Sequence, residues 1–258
     1  ITVFPHRRFR HSYMVKHSGA DVDDPGDFEG KRVGLRTWQT TAGIWMRGIA
    51  QDEYGLDLES VEWYTDDTED VDIEIPDRFD VQRIPEGRNI EEMLIKGDLE
   101  GAMYPALMES VKRGEGAERV FADSLAEEQA YYEKTGHFPL MHTTVIRDEL
   151  LEEHPWVAVN MYKAFSEARD ICLEKLEDPR WTALAWARQH LEHQQEVLGY
   201  NPWPFGLTEE NQRTLDQLLE YAEYQGLIPY QYDYDELFVA STLDEEIEGK
   251  EYVSAEDV

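Results

Sequence analysis

Gly30-Lys31-Arg32-Val33-Gly34-Leu35 predicts a short strand closed by glycine, and a helix and a second strand follow it at short spacing. Thr40-Thr41 offers a helix N-cap, and the helical segment that follows ends at Tyr54-Gly55, where glycine can adopt the left-handed cap. Val61-Glu62-Trp63-Tyr64 then alternates as a strand does. Strand, helix and strand within residues 31–64 predict a right-handed βαβ unit with parallel strands.

Further elements are predicted on both sides of this unit. The predicted strands are Ile1–Phe4, Phe9–Val15, a short one within Gly97–Pro105, and Leu140–Ile146. The predicted helices are Ile90–Lys96, 125–134, and several within 149–195 and 208–226. The acidic segment Asp66–Asp80 is expected to be a solvated loop. This order of elements predicts an α/β protein with a helical C-terminal part.

The charge balance excludes some partners. The 258 residues carry 56 acidic and 24 basic side chains, which gives a formal net charge of −32. We therefore expect no nucleic acid and no anionic membrane surface as partner, because phosphate groups would repel this chain. Only 8 of the basic residues are lysine. This composition favours a surface adapted to high salt in a halophilic cytoplasm, with an acidic mesophilic protein as the alternative; stability in low and molar KCl separates the two.

Several classes of site are absent from the sequence. No apolar run approaches the roughly 18 residues that a membrane span needs, so we expect no membrane insertion. The single cysteine, Cys172, excludes an internal disulfide and is expected in the core. No nucleotide-binding loop, serine elbow or zinc-protease helix occurs, and we predict no cofactor and no metal. The chain begins at Ile1 without a signal pattern, so we expect it to lack a natural N-terminal segment.

The basic residues are concentrated at the start of the chain. Residues 1–50 have a net charge of +3, whereas the remaining 208 residues have a net charge of −35. Cations retained within so acidic a chain predict that this segment binds a small anion. In Arg7-Arg8-Phe9-Arg10-His11-Ser12, strand alternation would send Arg8, Arg10 and Ser12 to one face and Phe9, His11 and Tyr13 to the other. The alternative is an edge strand with solvated arginines.

The junction between the first strand and the helix is a second candidate site. Free amides at the helix start and the hydroxyls of Thr40 and Thr41 can bind a carboxylate or phosphate. Arg36 and Gln39 can add donors, and Trp38 can stack on a flat ligand. The alternative is an ordinary capped helix with a packed tryptophan.

Two further side chains have functional and structural interpretations. His142 lies in the apolar stretch Pro139–Val145, where a titratable group must be hydrogen-bonded or useful. A satisfied core histidine is the alternative. Tyr104 follows a strand end, a position where α/β folds place ligand contacts, and a simple turn is its alternative. His190 and His193 are expected on the surface.

The order of several segments resembles the 4,5-dihydroxyphthalate decarboxylase family from residue 1 to about residue 240. The segments are Phe9-Arg10-His11-Ser12, Gly30–Gly34, Gln39-Thr40-Thr41-Ala42 with Trp45–Ile49, Pro139-Leu140-Met141-His142 and Gly199–Pro204. The resemblance implies a type 2 periplasmic-binding-protein-like fold, with two α/β lobes and a ligand cleft between them. On that basis residues 1–15 and 145–240 form part of lobe 1, whose N-terminal segment is missing. Residues 16–144 form most of lobe 2 with the crossing strands, and residues 244–258 form an acidic tail.

The resemblance also implies a reaction, which is decarboxylation of a hydroxylated aromatic dicarboxylate by protonation of a ring carbon in a cytoplasmic enzyme. His142 would donate the proton and His11 would contact the phenol. The expected substrate-binding residues are Arg10, Arg36, Trp38, Gln39, Thr40, Thr41 and Tyr104. The alternative is a periplasmic or extracellular solute-binding protein for a small organic anion, without catalysis. A thiamine-pyrimidine synthesis enzyme is a third and weaker interpretation, and the oligomeric state stays open.

Overall fold

A computed structural model describes residues 1–243, apart from the side chain of Pro179. The predicted acidic tail, 244–258, lies outside the described residues. The chain divides into two compact units. The sheet unit contains Arg8–Pro139 and Asp216–Gln231. The helical unit contains Ile1–Arg7, Leu140–Leu215 and the described residues from Tyr232 onward.

The elements alternate between strand and helix up to residue 142 and are helical thereafter. The strands are β1 (His6–Arg7), β2 (Met14–His17), β3 (Arg32–Leu35), β4 (Glu62–Thr65), β5 (Asp80–Arg83), β6 (Gly101–Met103), β7 (Ala117–Arg119) and β8 (Leu140–His142). The α-helices are α1 (Thr41–Tyr54), α2 (Ile90–Lys96), α3 (Glu109–Arg113), α4 (Ser124–Thr135), α5 (Asp148–Glu153), α6 (Trp156–Leu176), α7 (Ala187–Leu198), α8 (Glu209–Tyr224) and α9 (Tyr234–Leu237). This order confirms the α/β prediction and the helical C-terminal part.

The sheet unit is built on a six-stranded mixed sheet with strand order β5-β4-β3-β6-β2-β7. β3 runs parallel to both β4 and β6, with Leu35 opposite Thr65 and Met103. β2 runs antiparallel to β6 and β7. The predicted βαβ unit is thereby confirmed, and its helix α1 ends at Gly55, whose φ of 70° lies in the left-handed region.

Helix α1 is packed inside the sheet unit, and every residue from Ala42 to Ala50 is buried. Two glycines allow close approach on this helix. A Cβ atom on Gly43 would lie 2.9 Å from Nη1 of Arg47, and one on Gly48 would overlap the ring of Tyr221. Segment 216–231 of the sheet unit therefore packs directly on the backbone of α1, and its own Gln225 is fully buried.

Three predicted strands differ from the observed ones. Ile1–Phe4 forms no strand, although three of its apolar side chains are buried. Within Phe9–Val15, a 3₁₀ turn occupies His11–Tyr13 and β2 begins only at Met14, because Arg10 leaves the extended region with ψ at −10°. The third, Leu140–Ile146, is reduced to β8, and β5 was not predicted.

The helical unit contains the pair of strands β1 and β8 together with the later helices. Cys172 of α6 is exposed, so the expectation of a core cysteine is wrong. The physical reason is helical phase: Ala158, Tyr162 and Ser166 mark the buried side at four-residue spacing, and Cys172 lies six residues beyond the last of them. Among the described helices, none is both long and apolar enough to cross a membrane.

Candidate functional site

The candidate site lies at the carboxyl edge of β3, β4 and β6, which are three of the four parallel strands of the sheet. These strands end in register, and the residues that follow them are Arg36, Asp66 and Tyr104. Side chains after adjacent parallel strands meet at one edge of the sheet, which is where open α/β sheets bind ligands. We call Arg36, Asp66 and Tyr104 the carboxyl-edge row.

Asp66 and Tyr104 are hydrogen-bonded to each other. The Tyr104 hydroxyl donates to Oδ2 of Asp66 at 3.1 Å. Burial raises the pKa of Asp66 above its ordinary value. Burial also raises the pKa of Tyr104 to about 12, and the charge of Asp66 adds to this effect. The tyrosine therefore keeps its proton at neutral pH, while Asp66 takes up a proton more readily than an exposed aspartate.

Arg36 is an exposed cation beside this pair. Its Nη2 lies 3.2 Å from Oδ2 of Asp67 and its Nε lies 3.3 Å from the same oxygen. The ion pair is about half exposed on both sides, so it contributes little to stability and can exchange with an incoming carboxylate. The planar guanidinium offers five N–H donors, which suits the two oxygens of a carboxylate.

The junction, residues 36–41, already binds a carboxylate that belongs to the protein. The amide of Trp38 donates to Oε1 of Glu69 at 2.6 Å, and the amide of Gln39 donates to Oε2 at 3.0 Å. The side-chain oxygen of Gln39 accepts from the amide of Val71 at 3.1 Å. The expectation of a solvated loop is confirmed for the first part of Asp66–Asp80, where most residues are exposed, and some of its side chains and amides are in addition hydrogen-bonded to the junction.

Trp38 is fully buried, and this burial contradicts its expected role of stacking on a ligand. Its indole N–H donates to the carbonyl oxygen of Gln225 at 2.9 Å. The guanidinium carbon of Arg47 lies 3.9 Å from the centroid of the Trp38 ring. The ring is packed in the interior of the sheet unit, which agrees with the alternative of a capped helix with a packed tryptophan.

Arg47 is a fully buried cation below the junction. Its Nε donates to Oε1 of Gln225 at 2.8 Å, and its Nη2 donates to the carbonyl oxygen of Trp38 at 2.6 Å. Burial lowers its pKa to about 9, and the negative charge of Glu69 opposes that effect.

Thr40 and Thr41 stand at the start of α1, as predicted, with Thr40 as the N-cap residue. The hydroxyl of Thr40 is hydrogen-bonded to that of Thr37. Both predicted threonines are half-buried, so their outer sides are accessible beside Gln39 and Arg36.

Arg10 and His11 do not form the two faces of a strand. Arg10 is 3% exposed, and its Nη1 donates to the carbonyl oxygen of Pro105 at 3.3 Å, next to Tyr104. Burial lowers the pKa of Arg10 to about 10, with a further contribution from the charge of Arg8. Arg10 therefore reaches the loop after β6 but is not a solvated arginine.

His11 is completely buried among aromatic rings. Its ring centroid lies 5.1 Å from that of Tyr131 and 5.6 Å from that of Phe121. Burial lowers its pKa to about 4, so the imidazole is neutral at ordinary pH. Such a group cannot reach the phenol of a bound substrate without a rearrangement, so the expected role of His11 as the phenol partner is wrong for this structure.

His142 belongs to the helical unit, whereas the other predicted site residues belong to the sheet unit. It is the cross-strand partner of His6, and the two ring centroids lie 4.7 Å apart. His142 is exposed, so the alternative of a satisfied core histidine is wrong. His190 and His193 are exposed as well, as predicted.

The sequence reasoning missed Asp66, Asp67 and Glu69. A signal was available for the first of these residues, because Asp66 lies two residues beyond the end of the predicted strand Val61–Tyr64, and Tyr104 was likewise identified from a strand end. No such local signal exists for Glu69, which is 30 residues from the amides that it contacts. Among residues 1–243, no group of three or more His, Cys, Asp or Glu side chains could hold a metal ion.

The carboxyl-edge row thus lies on the mixed sheet of an α/β protein, and a carboxylate of the protein itself is held on main-chain amides beside it. No protein-family model matches the chain. It is, however, 30% identical over 253 residues to "4,5-dihydroxyphthalate decarboxylase" from Comamonas testosteroni, covering 95% of this chain and 76% of that relative. The chain therefore belongs to the 4,5-dihydroxyphthalate decarboxylase family, which confirms the resemblance.

A second relative and two solved structures are also similar. The "4,5-dihydroxyphthalate decarboxylase" of Pseudomonas putida is 29% identical over 111 residues, covering 41% of this chain and 43% of that one. A periplasmic sulfonate-binding protein from Methylobacillus flagellatus is 12% identical, with a TM-score of 0.42 over 87% of this chain and 61% of its own. A protein from Archaeoglobus fulgidus is 17% identical, with a TM-score of 0.36 over 85% of this chain and 73% of its own.

Proposed function

We propose that the chain catalyses the decarboxylation of a hydroxylated aromatic dicarboxylate of the 4,5-dihydroxyphthalate type. The observation that carries the proposal is the carboxyl-edge row, Arg36, Asp66 and Tyr104, in a member of this family. It supplies a cation for a carboxylate and a half-buried carboxyl–phenol pair for a hydroxyl group at one edge of one sheet.

The reaction needs proton transfers but no oxidant or reductant. In 4,5-dihydroxyphthalate each carboxylate is para to a hydroxyl group. Loss of the proton from that hydroxyl drives electron density to the ring carbon that bears the carboxylate, and this carbon takes up a proton. The bond to the carboxylate then breaks, its electron pair returns to the ring, and CO₂ leaves. The products are 3,4-dihydroxybenzoate and CO₂, with one proton consumed overall.

The carboxylate that remains on the product needs a fixed anchor. Arg36 provides an exposed fork beside Thr40, Thr41 and Gln39, and these donors would bind that group. Arg10 provides positive charge from behind the loop that follows β6, through its contact with Pro105. Anchoring fixes the orientation of the ring relative to Asp66 and Tyr104.

The hydroxyl group requires a partner that can accept its proton. We assign this role to Asp66, oriented by the Tyr104 hydroxyl at 3.1 Å, in place of the buried His11. Burial raises the pKa of Asp66, which suits a group that must take up and release a proton. His142 is kept as the proposed proton donor to the ring carbon, since its side chain is exposed and imidazole is a common general acid.

The test is incubation of the chain with 4,5-dihydroxyphthalate at low and molar KCl, with detection of 3,4-dihydroxybenzoate and CO₂. Product formation that is lost in His142→Ala and in Asp66→Asn supports the proposal. Tight binding of the substrate without any product would overturn it and favour a solute-binding protein. Full turnover in both variants would remove the assigned roles.

A further inference from the structure

The contact of Glu69 with the junction has the geometry of a bound carboxylate ligand. Its two oxygens accept separately from two consecutive main-chain amides, those of Trp38 and Gln39, at 2.6 and 3.0 Å. These amides precede the first turn of α1, so the dipole of a 14-residue helix adds to the attraction for negative charge.

A buried charge below the junction independently requires an anion there. Arg47 is fully buried, and in the described part of the chain its Nη1 atom has no hydrogen-bond partner. That atom is directed toward the first turn of α1, because a Cβ atom on Gly43 would lie 2.9 Å from it. A buried guanidinium is costly unless negative charge lies nearby, and the carboxylate of Glu69 supplies it through space.

The segment that carries Glu69 is held mainly by contacts that can exchange. It lies in the connection between β4 and β5, and Glu69 itself is only half-buried between exposed neighbours. Asp67 contributes an exposed ion pair with Arg36, and Val71 contributes one amide hydrogen bond to Gln39. Exposed contacts of this kind are weak, so displacement of the Glu69 carboxylate leaves the sheet intact.

We propose that the amides of Trp38 and Gln39, backed by Arg47, form a binding site for the carboxylate of an aromatic dicarboxylate, and that Glu69 is a resident competitor which the ligand displaces. The inference rests on the proposed function and adds a self-occupied subsite to it. A tethered carboxylate acts at an effective concentration in the millimolar range, so it weakens binding of a free carboxylate without a change in the site itself.

Phthalate, which has two carboxylates and no hydroxyl group, is the probe. Calorimetric titration with phthalate is carried out on the full chain, on Glu69→Gln and on the control Asp70→Asn, which removes the same charge one residue away at an exposed position. We expect phthalate to bind about 10-fold or more tightly to Glu69→Gln than to the other two. The amide ¹⁵N–¹H resonances of Trp38 and Gln39 should shift on saturation.

Equal or weaker phthalate binding by Glu69→Gln would overturn the inference, because a purely structural Glu69 gives that result. If circular dichroism shows that Glu69→Gln does not fold, Glu69→Asp replaces it. This variant keeps the charge but has a side chain shorter by one methylene group, and tighter binding of phthalate than in wild type is again required. Turnover of 4,5-dihydroxyphthalate separates the two proposals. If Glu69→Gln binds phthalate more tightly but the protein shows no turnover, only the proposed decarboxylase activity is refuted. If turnover is seen but the phthalate affinity of Glu69→Gln is unchanged, only the proposed role of Glu69 as a competitor is refuted.

Discussion

The segment Arg8–Tyr13 and the junction, residues 36–41, lie within the same cationic first fifty residues but differ in the exposure of their arginines. In the first, Arg10 and His11 are buried and the backbone turns. In the second, Arg36 leaves a parallel strand and is exposed at the carboxyl edge. Both segments contain arginine and several hydrogen-bond donors in the sequence. The difference shows that the number of cations in a segment does not determine their exposure, and strand ends are where open α/β sheets place ligand contacts.

Arg10→Ala should have the largest effect on stability. We expect the free energy of unfolding to fall by about 2–4 kcal/mol, because a buried side chain and its bond to Pro105 are lost together. Arg36→Ala should leave that free energy within experimental error, since its ion pair is exposed. Urea unfolding of both variants gives the comparison, and similar losses in the two would contradict it.

His11 should make stability depend on pH, with a span of up to about 3 kcal/mol. Its pKa is lowered from 6.5 to about 4 in the folded chain, so the unfolded chain binds the proton first as pH falls. Stability contributed by the neutral imidazole is therefore complete above about pH 6.5 and is lost between there and about pH 4.

The measurement is urea unfolding at several pH values in this window for wild type, His11→Leu and the control His190→Leu. His11→Leu removes the titrating group while keeping apolar volume, so its loss of stability on acidification should be smaller than that of wild type. The exposed His190 should leave the wild-type slope unchanged. Parallel curves for all three proteins would show that His11 is not buried as described.

Arg36→Ala should reduce activity although it leaves the free energy of unfolding unchanged. We expect kcat/KM for 4,5-dihydroxyphthalate to fall about 30- to 100-fold, the range for a lost hydrogen bond to a charged group. Arg36→Lys should recover only part of this loss, because an ammonium group lacks the planar fork. An unaffected kcat/KM in Arg36→Ala, measured in steady state, would place the anchor elsewhere.

Tyr104→Phe should have the smallest of these effects, a fall in kcat of about 10-fold with KM nearly unchanged. The substitution removes only the hydroxyl that orients Asp66, and one lost hydrogen bond has an effect of this size. The pH dependence of kcat should move as well, since the environment of Asp66 changes. A loss of kcat without any change in the pH profile would speak against this positioning role.

Local sequence signals predicted the framework of the sheet unit well. Strand β3, helix α1 with its Gly55 cap, and strand β4 each follow from periodicity and end residues within a few positions. The edge strand β5 was missed because Asp80-Val81-Gln82-Arg83 has no apolar alternation and three of its four residues are exposed. Its pairing is set by β4 and not by its own pattern.

The site itself was predictable only in part, because its contacts join distant segments. Arg36 and Tyr104 could be found from strand ends, which are local features. The burial of Trp38 depends on Gln225, 187 residues away, and the contact of Glu69 depends on how its loop folds. Adaptation to high salt stays a prediction from the sequence alone.

The glycines of α1 reverse a common rule of protein engineering. Replacement of helical glycine by alanine usually strengthens a helix by about 1 kcal/mol, so Gly43 and Gly48 would be obvious targets for thermostabilisation. Here Gly43 gives space to the Arg47 guanidinium and Gly48 receives the Tyr221 ring. A single methyl group would clash with the guanidinium at Gly43 and with the tyrosine ring at Gly48. A consensus-based design should therefore leave both glycines unchanged.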